Sequence, residues 1–263
     1  MSRNNPIIYF CQILKKYEAR DLSGHALAIL KLKSILKEWA GVHFIEIIEA
    51  GSRKKKTAIS LASDLDLMVS LKINTSLYNG GLKGVYESLY SYLSSRYQSV
   101  RKQSVSVRLN INGLEIDVTP AQRQGLLHSF HSIYLSNSGT WQKTNVKRHV
   151  FEVLQSKRMN EIKLLKIWRE LHQLDFPSIY LEYLLIKKMS FGTPGSLGIL
   201  PSNFLNILDL LSKDISNPLF DRIVDPGNSN NILSDLLSNA QKNQIKTQAK
   251  QSLQQNRWEN IIW

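Results

Sequence analysis

Residues 64–69 read Asp64-Leu65-Asp66-Leu67-Met68-Val69, and the alternation of acid and apolar side chains here decides the reading of the whole chain. Side chains on a β-strand point alternately to opposite faces. A strand over Asp64–Leu71 therefore shows Asp64 and Asp66 on one face and turns Leu65, Leu67 and Val69 into a core. Two neighbouring carboxylates repel each other unless a cation or solvent compensates. Magnesium takes hard oxygen ligands and binds through one or two carboxylates together with substrate phosphates. A solvent-facing strand decorated with acids is the other reading of the pair taken alone.

The surroundings narrow the choice. Upstream, the Ile-rich segment His43–Ala50 reads as a strand and runs into Glu49-Ala50-Gly51-Ser52. Glycine lets a backbone approach a phosphate closely, and the serine adds a hydroxyl and an amide. The loop Arg53, Lys54, Lys55, Lys56 can attract a polyphosphate, although each of these residues taken singly is a solvated charge. Downstream, Val105, Val107, Leu109 and Ile111 alternate, Asn112-Gly113 marks a hairpin turn, and Leu114, Ile116 and Val118 alternate again. Asp117 faces away from Ile116 and Val118. If its strand neighbours the first acid-bearing strand, Asp117 completes a three-carboxylate site. Gly-Ser at a strand end, a basic loop, Asp-x-Asp and a distant apolar-Asp-apolar strand are specific as a combination, where Gly-Ser alone is not.

Around this centre the period is helical. Residues 7–20 and 25–39 read as helices, the second through Ile29, Leu32, Leu36 and Trp39, with Asp21, Ser23 and Gly24 as the break. Residues 81–97 form another helix, and Leu126–Leu135 a further strand. Helices follow at 145–156, 159–173, 178–190 and 203–213. A turn at Asp225-Pro226-Gly227-Asn228 precedes a polar helix from about Ile232 to Trp258. The expected class is α+β: a catalytic lobe with a mixed sheet over residues 1–140, a helical lobe over 141–263, and an active-site cleft between them, a common place for a ligand.

The bulk properties agree with an ordinary globular protein. The chain has 263 residues, 43% of them hydrophobic, and no apolar stretch near the roughly 20 residues a membrane span needs. Met1–Pro6 is polar and lacks a secretory core. Cys11, the single cysteine, reads as a small buried hydrophobe, and the compartment as a reducing cytoplasm. A net charge of +13 points to a polyanionic ligand, with solubility as the plainer account.

Gly51-Ser52, Asp64-Leu65-Asp66 and Asp117 together resemble the polymerase-β-type nucleotidyltransferase superfamily. Further segments resemble its bacterial cGAS/DncV-like branch, relatives of oligoadenylate synthases: Thr57-Ala58-Ile59 with Ser63-Asp64, Leu164-Leu165-Lys166-Ile167-Trp168, Pro177-Ser178-Ile179-Tyr180-Leu181-Glu182, Asp225-Pro226 with Asn230-Asn231-Ile232, and the closing Arg257-Trp258 to Trp263. The likeness runs from about residue 25 to 263. It departs at Ile179, where the branch usually carries an aromatic, and in the lysine-rich loop after Ser52. The resemblance implies a polymerase-β-like fold and two-metal phosphoryl transfer. Asp64, Asp66 and Asp117 would be catalytic and would hold two Mg2+ ions, with Mn2+ able to substitute. Gly51, Ser52, Lys166 and Ser178 would bind the triphosphate, although Lys166 also reads as an exposed helix lysine. It implies nucleoside triphosphates as substrates, no membrane, and a basic surface available to a nucleic-acid or protein activator.

Other signals are weaker. His128 and His131 fall on opposite faces of a strand, and no zinc-ligand spacing is present. The five tryptophans read as packing groups. Three functions stay open: a synthase of cyclic or short linear oligonucleotide messengers in CBASS-type antiphage defence, a template-independent transferase acting on RNA or a small molecule, and a catalytically silent nucleic-acid-binding module. Intact acids weigh against the third.

Overall fold

A computed structural model of the chain describes residues 5–62, 64–72, 80–125, 129–188 and 192–263. Two compact units emerge. One comprises Met1–Ala19, Lys55–Ala62 and Phe151–Trp263, the other Arg20–Lys54 and Ser63–Val150. In chain order the helices and strands are α1 (Pro6–Lys16), α2 (Ala26–Ala40), β1 (Phe44–Glu49), the short α3 (Gly51–Lys54), β2 (Leu65–Leu71), α4 (Gly81–Ser94), β3 (Arg101–Lys102), β4 (Val107–Ile111), β5 (Leu114–Arg123), β6 (His131–Leu135), β7 (Thr140–Thr144), α5 (Val146–Gln155), α6 (Met159–Leu171), α7 (Ser178–Lys188), α8 (Leu200–Ser212), β8 (Val224–Asp225), β9 (Asn228–Ile232) and α9 (Asn239–Leu253).

The Arg20–Val150 unit is built on a mixed sheet in the order β1-β2-β5-β4-β3, with β6 and β7 continuing from β5. β2 and β5 run parallel; the other pairs are antiparallel. The alternation seen in the sequence sets the layers. Leu65, Leu67, Val69 and Leu71 of β2 and Ile116 and Val118 of β5 form a core with Leu32 and Leu36 of α2 and Val85, Leu89 and Leu93 of α4. Ten residues long, β5 pairs with β4 through Leu114–Val118 and with β6 through Ala121–Arg123. Pro120, which has no N–H to give, falls in the gap between those stretches, where a ladder bond is not required of it.

In the other unit α6 and α7 are central. α6 buries Ile162, Leu164, Leu165, Ile167 and Trp168 around its circumference, and α7 buries Tyr180 through Leu185 without a polar stripe. A helix that is buried all round belongs in the middle of a core. α1 packs here although it precedes the sheet in sequence: Phe10 meets Trp258 edge-on at 4.8 Å, and the Tyr9 hydroxyl donates to the Ile262 carbonyl at 2.7 Å. The segment 55–62, which separates Ser52 from Asp64 in sequence, also belongs to this unit, with Ile59 in its core.

Several expectations need correction. The polar helix starts later, because Asn228–Ile232 pairs with Val224–Asp225 as a hairpin and a Ser238–Gln241 capping box then fixes the start of α9. Cys11 is half-buried rather than buried. Trp141 is 62% exposed and so is not a packing group. β7 and α3 were not foreseen, since Thr140–Thr144 and Gly51–Lys54 carry no apolar period. Leu126–His128 and the end of the helix expected to run to residue 190 lie outside the described residues. Among the described residues no helix is long and apolar enough to cross a membrane.

Candidate active site

The parallel register of β2 and β5 pairs Leu65 with Ile116, Asp66 with Asp117, and Leu67 with Val118. Neighbours in register share a face, so Asp66 and Asp117 stand side by side, and Asp64, two residues before Asp66, has the same facing. The shared face is the one the alternation predicts, but the acids do not stand open on it: Asp117 is ion-paired with Arg108 at 2.6 Å. Their side chains are only partly open: Asp64 keeps 34% and Asp117 13% of its exposure.

Gly51 sits against one of these acids, Asp66. Its φ is +66°, a left-handed value, and the Ala50 N–H donates to the Asp66 carbonyl at 2.9 Å. A Cβ placed on Gly51 would stand 1.6 Å from Asp66 Oδ2. Only glycine satisfies both the backbone angle and the approach of this carboxylate. Ser52 follows it, half-buried, in α3.

A residue that the sequence reading passed over lies at the centre. Arg108 on β4 is the direct partner of Asp117. Its Nε donates to Asp117 Oδ1 at 3.0 Å and its Nη2 to Asp117 Oδ2 at 2.6 Å. The same Nη2 reaches Asp64 Oδ2 at 2.7 Å, and Nη1 donates to Glu115 Oε2 at 2.9 Å. The signal was present: Asn112-Gly113 as a two-residue turn fixes a register that sets 108 opposite 117. The fork on Asp117 raises the guanidinium's already high pKa, despite the opposing effect of burial. Burial raises the Asp64 carboxyl, with Asp117 and Glu115 adding to the rise and Arg108 working against it.

Asp64, Asp66 and Asp117 offer the hard oxygen donors that suit magnesium. Among the described residues no set of three acidic, histidine or cysteine side chains is arranged to hold a metal as it stands. The donors fit the ion in chemistry, while a cation of the protein's own, Arg108, is the charge that Asp64 and Asp117 hold.

Lys166 and Ser178 stand in the other unit. Lys166 is 2% exposed, so it is not an exposed helix lysine. Its Nζ donates to Glu182 Oε1 at 2.7 Å and to Thr57 Oγ1 at 3.1 Å, while Lys55 Nζ donates to Glu182 Oε2 at 2.8 Å. Burial by itself would raise the Glu182 carboxyl, but the two lysines hold it down at about 2. Two buried ammonium groups thus share one carboxylate. Ser178 opens α7, and its Oγ accepts from Arg169 Nη1 at 3.0 Å. Ile179 packs half-buried against the core, and the fully buried Tyr180 gives its hydroxyl to the Leu219 carbonyl. Lys55 was read with its neighbours as a solvated charge that can attract a polyphosphate, and the structure instead buries it against Glu182; a lysine run and an acid in an apolar helix do not announce each other across 127 residues.

Elsewhere, His131 is buried and its Nε2 lies 2.8 Å from Ser70 Oγ. Burial lowers its pKa. At 0% and 1% exposure this pair is closed to substrate.

Comparison with known proteins places these features in context. Residues 22–156 match the profile of the Second Messenger Oligonucleotide or Dinucleotide Synthetase domain. The chain is 25% identical over 198 residues to a cyclic AMP-AMP-AMP synthase of Escherichia coli (strain MS 115-1). The match covers 68% of this chain and 61% of that protein. Among solved structures, CdnC of E. coli MS115-1 in its HORMA-deltaN complex aligns with a TM-score of 0.73 at 18% identity, covering 92% of this chain and 87% of that one. CdnG of Bradyrhizobium diazoefficiens, a CD-NTase in complex with GTP, aligns with a TM-score of 0.72 at 12% identity, covering 95% and 91%. Identities this low establish a shared fold.

Proposed function

This chain belongs to the Second Messenger Oligonucleotide or Dinucleotide Synthetase family, and on that footing we propose that it is a metal-dependent nucleotidyltransferase. Its products are cyclic or short linear oligonucleotides of two to a few units, made from nucleoside triphosphates and used in CBASS-type antiphage signalling. The observation that carries this reading is the register of Asp66 on Asp117, with Asp64 on the same face. Three carboxylates so arranged, beside a glycine that gives way to one of them, match what phosphoryl transfer asks of a protein: little covalent chemistry and much positioning of charge.

In this proposal Asp64, Asp66 and Asp117 hold Mg2+, or Mn2+ in its place. Bound there, the metal supplies a Lewis acid that neutralises charge on the transferring phosphate and its leaving pyrophosphate. Gly51 and Ser52 receive the triphosphate with their backbone amides and hydroxyl. Lys166 and Ser178 bind triphosphate as well, which requires Lys166 to be drawn out of its buried contacts with Glu182 and Thr57; the excess positive charge of Lys55 and Lys166 over Glu182 favours an anion there. The net charge of +13 serves donor capture and a nucleic-acid or protein activator.

The test is incubation of the pure protein with each α-labelled triphosphate and magnesium, without primer. Products are then treated with phosphatase and resolved. Phosphatase-resistant small products support a cyclic messenger, and sensitive ones a linear messenger. Long primer-dependent tails with no small product would instead favour an RNA-modifying transferase.

A further inference from the structure

Strand pairing lines up four charged residues across one face of the sheet: Asp66 on β2, Asp117 on β5, Arg108 on β4 and Arg101 on β3. Two acids are followed by two bases in a single row. Arg101 is held by Glu115 at 2.8 Å, while Arg108 turns along the row onto the acids. All three nitrogens of its guanidinium are spent on carboxylates, and one of them, Nη2, bridges Asp64 and Asp117. A planar fork that bridges carboxylates in this way is a strong, geometrically specific contact. With 23% of its side chain exposed, Arg108 is only partly buried and keeps one side toward solvent.

We propose that Arg108 is a built-in counter-ion that competes with the divalent metal for Asp64 and Asp117. This proposal rests on the reading of those acids as metal ligands. While the metal is absent the guanidinium cancels their repulsion and keeps them together. It also occupies the oxygens that the metal requires, so metal alone loads weakly. A metal–triphosphate complex removes the obstacle from both sides: the ion takes the carboxylates, and the phosphates offer the released guanidinium new acceptors. Arg108 is therefore a positioning residue that ties metal loading to the arrival of substrate.

The test is a Mn2+ titration, followed by electron paramagnetic resonance, of the intact chain, of Arg108→Gln, of Arg108→Lys and of Asp117→Asn, with and without a non-hydrolysable triphosphate. Losing charged hydrogen bonds that compete with the ion should tighten Mn2+ binding by roughly ten- to a hundredfold in Arg108→Gln without nucleotide. Arg108→Lys retains the charge and so guards against a folding failure; lacking the fork, it should show a smaller gain in the same direction. In both variants the extra affinity conferred by the triphosphate should shrink. Equal Mn2+ affinity in wild type and both Arg108 variants, with binding still lost in Asp117→Asn, overturns the counter-ion proposal and leaves the metal site standing. Binding unaffected by Asp117→Asn overturns the metal site itself, and the counter-ion with it.

Discussion

Gly51→Ala is the perturbation whose outcome the geometry fixes most tightly. Two effects add. An L-residue held in the left-handed region costs about 1–2 kcal/mol, and Gly51 sits at φ +66°. The new Cβ would also stand 1.6 Å from Asp66 Oδ2 and 2.4 Å from its Cγ, where ordinary contact begins near 3.4 Å. The carboxylate must therefore leave its position, and displacing a reacting group by about 1 Å can cost on the order of 10²-fold in rate. Gly113→Ala supplies the control: its φ is +80°, with nothing within 4 Å of an added Cβ. Both variants should lose roughly 2–8 °C in melting temperature from backbone strain alone. Only Gly51→Ala should lose turnover, by about a hundredfold or more. Melting by fluorimetry and release of pyrophosphate measure the two effects separately. Turnover within twofold of wild type in a folded Gly51→Ala protein would refute the argument that Asp66 must stay where Gly51 admits it.

Asp64→Asn and Asp66→Asn should each abolish turnover in magnesium while the circular dichroism spectrum stays native; near-normal rates in both would remove the acids from catalysis. Glu182→Gln should destabilise the protein by about 3–5 kcal/mol in urea unfolding, because it strips the shared partner from two buried lysines; a change under 1 kcal/mol would show that the network is slack. The depressed Glu182 carboxyl, about 2 in the folded protein against an ordinary 4.5, stabilises the folded state fully above pH 4.5. That stability is lost as pH falls from 4.5 toward 2, a loss on the order of 3 kcal/mol. Glu182→Gln should flatten this part of the stability–pH curve, and an unaltered curve would assign the acid sensitivity elsewhere. Lys166→Ala should weaken triphosphate binding measured below its melting temperature. Burial of Lys166 adds a loss of stability that an exposed helix lysine would not show, and unchanged affinity in the folded variant would exclude Lys166 from the site.

The candidate site was legible where a period of two did the work. Alternation alone gives Asp64 and Asp66 a common face and turns Asp117 away from Ile116 and Val118, since facing on a strand is a local property. The neighbour relation of β2 and β5 was an assumption at that stage, because a parallel pair joined through α4 leaves no local mark on the sequence. The resemblance supplied it. Arg108 was within reach of the same logic, as the Asn112-Gly113 turn sets it opposite Asp117, but β3 is too short to read from the sequence, and without it a basic residue on that hairpin invites a solvent-facing reading. Lys55, Glu182 and Lys166 were not legible as a group. They come from three distant segments, and one of them, 55–62, packs with helices that follow it by a hundred residues. Such non-local burial carries no period. β8 and β9 were missed for a simpler reason: Asn228–Ile232 is too polar to read as a strand.

On this reading these acids drive synthesis of a small oligonucleotide. Its most direct test is mass spectrometry of the products formed from the four triphosphates and magnesium without primer, by the wild-type chain and by the Asp64→Asn, Asp66→Asn double variant. Wild type should give pyrophosphate and a product of two to a few nucleotides, and the folded double variant neither. The same small product from both proteins, or none from a wild-type chain that binds Mn2+ and triphosphate, would contradict this reading.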